Sequence, residues 1–507
     1  MTKTITIIGA GIAGLAAGCY AQMNGYETQI FEMHDQPGGV CTAWKRKDYT
    51  IDGCLHWLVG SNPQSNFYPM WEELGAVQNR KFVNFEEFRR IEDQEGKTFV
   101  IYSDLDRLEE HMLALAPEDE NIIRTFIRGA RQLTKFNLPV DKAPELYTPL
   151  DMPKMGLNMA PSLGTFLKWR NVTTAEMAAW FHNPFLRKAF HEAFAGDMDD
   201  FSAFAMLMTL AWQHKKEAGY PVGGSLPFAQ AIEKRYLALG GKVNYKSPVT
   251  KILVSNNQAV GVKLANGKEQ HSDIVISAAD GHATIFNMLD GKYINDKIKN
   301  NYATQPLFPP LLHVALGIKG DFPDAPHHLT YILDKPISAD NHVHTSVSFT
   351  IYNYDPTLAK RGKTVIVAML NSDYTYWKNL KQENPKRYNE EKEQIADRLI
   401  AVLDQHFPGV AAEVEVRDVA TPVTWERYSG NWQGAYEGWL ITVDNFMKRM
   451  GKELPGLKNM YMSGQWVEPG GGVPAVAMSA RNTVQIICKR DKKKFTTSKP
   501  GNKLLYS

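Results

Sequence analysis

The chain has 507 residues and a mass of 57.1 kDa, enough for two or more structural units with a sizeable buried core. Apolar residues make up 44% of it and charged residues 22%, a composition that excludes a disordered or fibrous protein. The 57 basic and 55 acidic residues nearly cancel to a net charge of +2, so the composition predicts no nucleic-acid partner.

The first elements along the chain have the pattern of a nucleotide-binding unit. Residues 4–8 are a β-branched apolar run, typical of a strand that is buried on both faces of a parallel sheet. A glycine-rich turn follows at 9–14, and the alanine-rich stretch 15–24 predicts a helix. A second strand is predicted over 27–31 and ends at Glu32. The order strand, turn, helix, strand and acid is that of a dinucleotide-binding fingerprint.

The glycines of this turn each have a physical reason. Gly9 permits a tight turn, Gly11 lets the backbone approach a pyrophosphate, and Gly14 allows the helix to pack closely on the strand. The N-terminus of the helix supplies unpaired N–H groups and a partial positive charge. Glu32 can accept hydrogen bonds from ribose hydroxyls, and its charge would repel a 2′-phosphate, which argues against NADP.

A second glycine pair distinguishes between the dinucleotides. Gly38 and Gly39 come just after Glu32, and the stretch 52–60 follows with His56 in it. Glycines at this place suit a cofactor whose diphosphate and ribityl chain continue past the first helix. The sequence therefore favours FAD over NAD.

These motifs and several later ones resemble the phytoene desaturase, carotenoid isomerase and retinol saturase group of FAD-dependent oxidoreductases, within the amine-oxidase-like flavoprotein superfamily. The resemblance covers nearly the whole chain. The later motifs lie at 220–226, 239–252, 265–280, 354–363, 420–428 and 459–477.

The resemblance implies an α/β fold with a discontinuous Rossmann-like FAD-binding domain and an α+β substrate domain that contains an antiparallel sheet. The expected boundaries are 1–75, 222–300 and 455–490 for the FAD-binding domain, 76–221 and 301–454 for the substrate domain, and 491–507 for a basic C-terminal tail. Within the substrate domain, strands are predicted at 312–318, 346–352 and 364–370, helical patterns occur in 76–221, and the apolar face of 395–406 predicts a helix that covers the sheet.

The resemblance also implies where the cofactor binds. In the family the last motif closes over the flavin, and the helix that follows has its N-terminus at the isoalloxazine, where it can stabilise negative charge on the reduced ring. The residues expected to contact FAD are Gly9, Gly11, Ile12, Ala13, Gly14, Glu32, Met33, Gly38, Gly39, Val40, His56, Trp57, Val249, Gly464, Gly472, Val473 and Ala475.

Two ionisable residues are the candidates for catalysis. The family motifs put His56 and Glu468 nearest the flavin, where Glu468 could deliver or accept a proton. A structural hydrogen-bonding role is the alternative for His56. No metal site is predicted, because the pairs at 327–328 and 342/344 lack a third ligand at a recognisable spacing.

By resemblance, the enzyme desaturates, saturates or isomerises carbon–carbon double bonds in a lipophilic polyene or isoprenoid, of carotenoid or retinoid type, with hydride transfer at flavin N5. Conjugation in such a substrate spreads the positive charge that hydride loss creates. Two alternatives stay open: an amine-oxidase-type flavoenzyme, and a non-catalytic carrier of prenyl lipids like the Rab GDP-dissociation inhibitors.

Partners and location follow from composition. The apolar stretches 138–167 and 201–212 are candidates for a cavity mouth or a membrane-facing patch, with ordinary core as the alternative. Residues 489–507 carry seven basic residues against Asp491, so this tail has a charge of +6 and the rest −4. It is either a solvated tail or a weak anchor on an anionic membrane. Scattered cysteines and the lack of a spanning apolar run predict a cytoplasmic protein, of unspecified oligomeric state. Peripheral membrane association through the apolar patch and the basic tail is the alternative that stays open.

Overall fold

A computed structural model describes residues 2–194, 198–445, 450–468 and 470–501. Its strands are β1 (Thr4–Ile8), β2 (Glu27–Phe31), β3 (Ala43–Arg46), β4 (Tyr49–Asp52), β5 (Leu58–Val59), β6 (Phe82–Val83), β7 (Glu87–Glu92), β8 (Thr98–Tyr102), β9 (Ala218–Pro221), β10 (Lys242–Asn244), β11 (Val249–Ser255), β12 (Gln258–Leu264), β13 (Glu269–His271), β14 (Ile274–Ser277), β15 (Leu311–Lys319), β16 (His328–Ala339), β17 (His342–Ile351), β18 (Lys363–Asn371), β19 (Val414–Ala420) and β20 (Met460–Met462). Its α-helices are α1 (Ile12–Met23), α2 (Tyr68–Glu73), α3 (Leu105–Leu115), α4 (Glu120–Leu133), α5 (Met152–Met159), α6 (Leu163–Trp169), α7 (Thr174–Ala179), α8 (Pro184–Phe194), α9 (Ala203–His214), α10 (Ser225–Ala238), α11 (Asp296–Thr304), α12 (Tyr374–Glu383), α13 (Pro385–His406), α14 (Pro422–Ser429) and α15 (Val473–Arg490).

A five-stranded parallel sheet forms around the first predicted strand. Its order is β10-β2-β1-β14-β20, with Ile5 opposite Ile274 and Val275 opposite Met460. The predicted strands at 4–8 and 27–31 are confirmed. Helix α1 begins at Ile12, three residues earlier than predicted, because the chain enters the helix directly after the turn. The sheet joins strands from distant parts of the sequence, as a doubly wound nucleotide-binding fold requires.

The second large sheet has seven strands in the order β19-β15-β18-β17-β16-β7-β8. The three strands predicted between 312 and 370 are confirmed as β15, β17 and β18. The sheet is mixed rather than purely antiparallel, because β7 pairs with β16 in parallel, with Ile91 opposite Thr330. Strands β7 and β8 lie in 76–221, where the sequence indicated helices. They form a hairpin in which Phe88 and Ile91 of β7 and three consecutive residues of β8, Phe99–Ile101, are buried.

Helix α13 covers one face of this sheet, as predicted. Its side chains Ile395, Leu399 and Leu403 are buried in one apolar cluster with the sheet residues Val314 and Phe349. Full burial of such a side chain contributes about 1.5–3 kcal/mol to stability. Helices α3, α4 and α6 to α9 form a further apolar cluster with buried residues of the hairpin. Among the described helices, none combines the length and hydropathy that crossing a bilayer requires.

Residues 491–501 fold back onto the parallel-sheet unit. The backbone N–H of Thr496 donates to the side chain of Asn24 at 2.8 Å, and Lys499 forms an ion pair with Glu72 at 2.6 Å. Its backbone is thus held against the protein while the lysines Lys492, Lys493, Lys494 and Lys499 are exposed, so the solvated tail and the weak membrane anchor both stay predictions. Lys503, the last basic residue of the tail, lies outside the described residues.

Candidate functional site

The turn between β1 and α1 has the geometry of a phosphate-binding loop. A Cβ added at Gly14 would lie 1.9 Å from the carbonyl oxygen of Gly9, so only glycine fits at this helix–strand contact. Gly11 is the N-cap residue of α1 and no side chain caps the helix. The first N–H groups of α1 have no partner within the helix and are available to an anion.

Glu32 is fixed at the end of β2 by two backbone donors. Its Oε2 accepts a hydrogen bond from the N–H of Ala10 at 2.7 Å, and its Oε1 accepts one from the N–H of His34 at 2.9 Å. A carboxylate has about four acceptor sites, so capacity for ribose hydroxyls remains. The N–H of Gly38 donates to the carbonyl of Ala10 at 2.9 Å, which brings the second glycine pair beside the first turn.

The loop 52–57 is anchored to the start of α10. The buried carboxylate of Asp52 accepts hydrogen bonds from the N–H of Ser225 at 2.5 Å, from its hydroxyl at 2.6 Å, and from the N–H of Cys54 at 3.0 Å. Burial nevertheless raises the pKa of Asp52 to about 6. The hydroxyl of Ser225 also accepts from the N–H of Leu55 at 2.8 Å. The motif at 220–226 thus positions the loop that carries His56.

The segment that leads from β20 to α15 closes the site; we call residues 463–472 the closing segment. Gly464 donates its N–H to the hydroxyl of Ser479 on α15 at 3.1 Å. A Cβ on Gly471 would lie 1.8 Å from the carbonyl oxygen of Glu437, so this contact also requires glycine. Gly472 is the N-cap residue of α15, again without a side-chain cap. Pro469, part of the family motif here, lies outside the described residues.

All these loops border one cavity of about 930 Å³. Every residue that the sequence predicted to contact FAD lines this cavity except Gly14, which instead packs the helix against the strand. The predicted set, drawn from four stretches of the chain, is therefore brought together in space. The individual contacts with FAD stay predictions.

The donors and acceptors at this end of the cavity fit FAD. The N-termini of α1 and α15 both border this cavity without side-chain caps, and each favours negative charge there. Glu32 lies at the end of β2 with acceptor capacity for a ribose. The glycines let backbone and cofactor approach closely.

Glu468, the first candidate for catalysis, is half of a buried ion pair. Lys452 is 2% exposed and Glu468 is 4% exposed. The Lys452 ammonium donates to Glu468 Oε1 at 2.7 Å and to Glu145 Oε1 at 2.8 Å. This arrangement suits a residue that holds the closing segment in place. Its use as a proton carrier stays a prediction.

His56, the second candidate, lines the cavity as a neutral imidazole. Burial, with smaller contributions from His313 and Arg89, lowers the pKa of His56 to about 4. A group with so low a pKa is a weak base at neutral pH. The structural alternative for His56 fits these surroundings better, and its role stays a prediction.

Glu437 is a cavity residue that the sequence did not single out. Burial raises the pKa of Glu437 to about 7. Asp280 also lines the cavity and burial raises its pKa to about 7, but it accepts hydrogen bonds from the N–H groups of Ala283 and Trp432 at 2.6 and 2.8 Å. No family motif marks Glu437, and its significance depends on a position in space that the sequence does not reveal.

The opposite end of the cavity is apolar. It receives side chains from both stretches that the sequence proposed as a cavity mouth, 138–167 and 201–212. The residues at this end are Phe136, Leu138, Met155, Met159, Phe166, Phe204, Met208 and Trp212. Helix α9 also contributes core residues, such as Leu207, so the ordinary-core alternative holds for its other face.

The histidine pairs have structural surroundings. His327 stacks on Phe85, and the imidazole Nδ1 of His342 lies 2.8 Å from Asp340. Across the described residues, no three side chains of His, Cys, Asp or Glu are grouped as metal ligands.

Known proteins are similar to this chain over nearly its whole length. A family model described as "Flavin containing amine oxidoreductase" matches residues 12–488. Curated relatives include a chloroplastic prolycopene isomerase of an Oncidium hybrid cultivar, 25% identical over 93% of this chain and 81% of that protein. A lycopene-forming phytoene desaturase of Pantoea ananas is 25% identical over 96% of this chain and 99% of that protein.

Solved structures with the same fold are more distant in sequence. An oxidoreductase from Methanosarcina mazei has a TM-score of 0.60 at 18% identity and covers 95% of this chain and 100% of its own. A putrescine oxidase bound to putrescine has a TM-score of 0.59 at 14% identity and covers 96% of this chain and 99% of its own. At these identities the likeness shows the fold alone.

Proposed function

Because the chain belongs to the flavin containing amine oxidoreductase family and is an FAD-dependent oxidoreductase, we propose that it desaturates, saturates or isomerises carbon–carbon double bonds of a lipophilic polyene of carotenoid or retinoid type. The observation that carries the proposal is the apolar end of the cavity, which continues directly from the glycine loops. Relatives named as prolycopene isomerases and phytoene desaturases support it.

The glycine loops have the task of holding and orienting the cofactor. When bound, FAD supplies a two-electron acceptor or donor at its ring N5. The N-terminus of α1 would bind the diphosphate, and Glu32 would accept from the adenosine ribose. The N-terminus of α15 would lie at the isoalloxazine, where the helix dipole favours negative charge.

The apolar end has the task of aligning the substrate and excluding water. Side chains such as Phe166, Phe204 and Met208 offer contact area without hydrogen-bonding groups, so a long hydrocarbon loses little by leaving its lipid surroundings. A polyene threaded toward the glycine loops would present one of its C–H or C=C bonds to the cofactor. A dry cavity also limits side reactions with water.

The test is anaerobic presentation of polyenes and amines to the purified enzyme in two states. Reduction of the oxidised enzyme by a polyene indicates desaturation, and reoxidation of the photoreduced enzyme indicates saturation. Geometric isomerisation that needs reduced flavin but consumes none indicates an isomerase. Reaction with amines alone, accompanied by hydrogen peroxide, would overturn the proposal in favour of an amine oxidase.

We further propose that the enzyme takes its substrate from a membrane surface. Leu150, Leu157 and Leu167 are 91%, 77% and 55% exposed, and they lie on or beside the helices α5 and α6, whose other residues line the cavity. Lys168 lies beside Leu167 and is exposed as well. An exposed apolar face with a basic rim, next to an apolar cavity, suits an anionic bilayer.

The docking face can be tested with a double substitution. Leu150→Gln with Leu157→Gln should sediment with anionic phospholipid vesicles several-fold less than the original protein, while FAD content is unchanged. Leu237→Gln is the matched control, since Leu237 is 48% exposed on α10. Equal sedimentation of the double variant and the original protein would refute this face as the membrane-docking site.

A further inference from the structure

Four acidic residues in the described part of the chain line the cavity: Glu32, Asp280, Glu437 and Glu468. Three of them have fixed partners. Glu32 and Asp280 accept backbone hydrogen bonds, and Glu468 is paired with Lys452. Glu437 alone of the four makes no side-chain hydrogen bond or ion pair with the described residues. A carboxyl group placed in a cavity without such compensation is costly for stability, which indicates a functional reason for it.

The backbone of Glu437 is held between the two loops that border the flavin end. Its carbonyl oxygen packs on Gly471, where an added Cβ would lie 1.8 Å away. The neighbouring Tyr436 donates its hydroxyl to the carbonyl of Gly53 at 2.7 Å. On the other side, the N–H of Phe308 donates to the carbonyl of Gly438 at 2.8 Å. The position of the residue is therefore fixed beside both the loop 52–57 and the closing segment.

We propose that Glu437 is the proton-transfer residue of this enzyme, exchanging a proton with a carbon of the substrate polyene. The inference rests on the proposed function. It assigns the role to a residue other than His56, a weak base, and Glu468, which is bound to Lys452.

Glu437 can accept or return the substrate proton in each direction of the reaction. In a desaturation, one substrate carbon loses hydride to bound FAD, which takes up two electrons. The adjacent carbon gives its proton to the Glu437 carboxylate, and the electron pair of that C–H bond becomes the new double bond. In a saturation, the Glu437 carboxylic acid returns the proton to carbon while reduced FAD provides the hydride. In an isomerisation, the same carbon receives and releases one proton, without net oxidation or reduction.

The electrostatics of the site support this exchange. Because its pKa is about 7, Glu437 is present in both protonation states near neutral pH, the condition under which proton transfer in either direction is efficient. The titratable groups on the elements packed against it are Tyr436 on its own segment, Asp52, Cys54 and His56 on the loop 52–57, and Glu468 on the closing segment. Burial is the cause of the shift in Glu437, and none of these neighbours supplies a compensating positive charge within the described chain.

The experiment compares Glu437→Gln, Glu437→Asp and a matched control, Glu453→Gln, whose side chain is 43% exposed and pairs with Arg490. All are purified as holoenzymes and their FAD content is measured first. We expect normal FAD content in each. In single turnovers with a reactive polyene, we expect Glu437→Gln to be slower by about 100-fold or more. Glu437→Asp should recover part of the rate, and the control should match the original enzyme.

A second readout does not depend on turnover. Infrared difference spectra of the holoenzyme should contain C=O absorption of protonated carboxyl groups that titrates near neutral pH, to which Asp52 and Asp280 also contribute. The part of it that belongs to Glu437 should be missing in Glu437→Gln and present in Glu453→Gln. A Glu437→Gln enzyme that keeps both its FAD and its full rate overturns the proposal. If no polyene reacts with the original enzyme, the proposed function fails. In that case an infrared band unchanged in Glu437→Gln also refutes Glu437 as the titrating group.

Discussion

The two ends of the cavity are built on different principles. At the flavin end, the lining consists of glycine turns and helix N-termini, and the contacts that define it are made by backbone atoms such as the carbonyl of Gly9. At the apolar end, the lining consists of large side chains from α5, α6 and α9, including Phe166 and Met208. The addition of a single methyl group should therefore disrupt the flavin end and be tolerated at the apolar end.

The strongest test of this contrast is one identical substitution in a helix from each end, α1 and α5. Gly14→Ala places a Cβ 1.9 Å from the Gly9 carbonyl oxygen, so the turn must distort and the purified protein should contain little or no FAD. Gly156→Ala on α5 meets no atom within 4 Å, and should keep its FAD and gain about 0.5–1 kcal/mol of helix stability. The ratio of flavin to protein absorbance measures both outcomes. Equal FAD content in the two variants would contradict the proposed difference between the two ends.

The second prediction concerns the link between the two ends. Lys452 joins Glu468 of the closing segment to Glu145, which precedes α5. Lys452→Met removes the ammonium that the buried Glu468 carboxylate shares with Glu145 and should lower the free energy of unfolding by about 3–5 kcal/mol. Urea denaturation measures the loss, and an added Glu468→Gln should recover part of it. Lys499→Met removes an exposed pair with Glu72 and should cost about 1 kcal/mol or less. Similar losses in the two lysine variants would contradict this link.

The third prediction tests whether a side-chain hydrogen bond to a backbone carbonyl stabilises the flavin end. Tyr436→Phe leaves the buried carbonyl of Gly53 without its donor and should cost about 1–3 kcal/mol in unfolding free energy. Tyr293→Phe serves as the control, because the bond of Tyr293 to Asn257 is exposed and water can replace it. Thermal unfolding of the two holoenzymes, compared at equal FAD saturation, checks the difference. If both substitutions have the same effect, the buried bond is unimportant.

The fourth prediction is a pH dependence from Glu437, whose effect is small for each pH unit. Its pKa rises from an ordinary value of 4.5 to about 7 on folding, so the folded protein holds this proton more tightly. The resulting stabilisation is complete below pH 4.5 and is lost as the pH rises through 7. Between these values, stability relative to Glu437→Gln should fall by at most about 1.4 kcal/mol per pH unit. Urea denaturation at a series of pH values tests this, and parallel curves for the two proteins would contradict it.

Much of the flavin end could be predicted from the sequence. The turn at 9–14, the acid at Glu32 and the glycine pair at 38–39 each depend on a few consecutive residues, and the structure brings them to one cavity. Three strands of the second sheet, β15, β17 and β18, were also predictable, because a buried strand contains a short run of apolar residues. The hairpin of β7 and β8 was missed, since its strands are short, β7 does not alternate apolar with polar residues, and helices follow them.

The roles of the acidic residues could not be predicted in the same way. Glu468 stood out because it lies in a family motif, yet Lys452 is bound to it, and to Glu145 more than 300 residues earlier in the chain. Glu437 has no motif around it and was missed. Whether a carboxyl group is compensated depends on which distant residues the fold places next to it.

The nucleotide-binding unit and its preference for FAD could be predicted from the sequence alone, because the conformation of a glycine turn and the dipole of the helix after it are local properties of the chain. That the apolar stretches line the same cavity as the glycine loops, and that Glu437 rather than Glu468 lacks a partner there, became evident only from the folded chain. The reason is that burial and charge compensation are properties of neighbours in space, which a linear pattern does not contain.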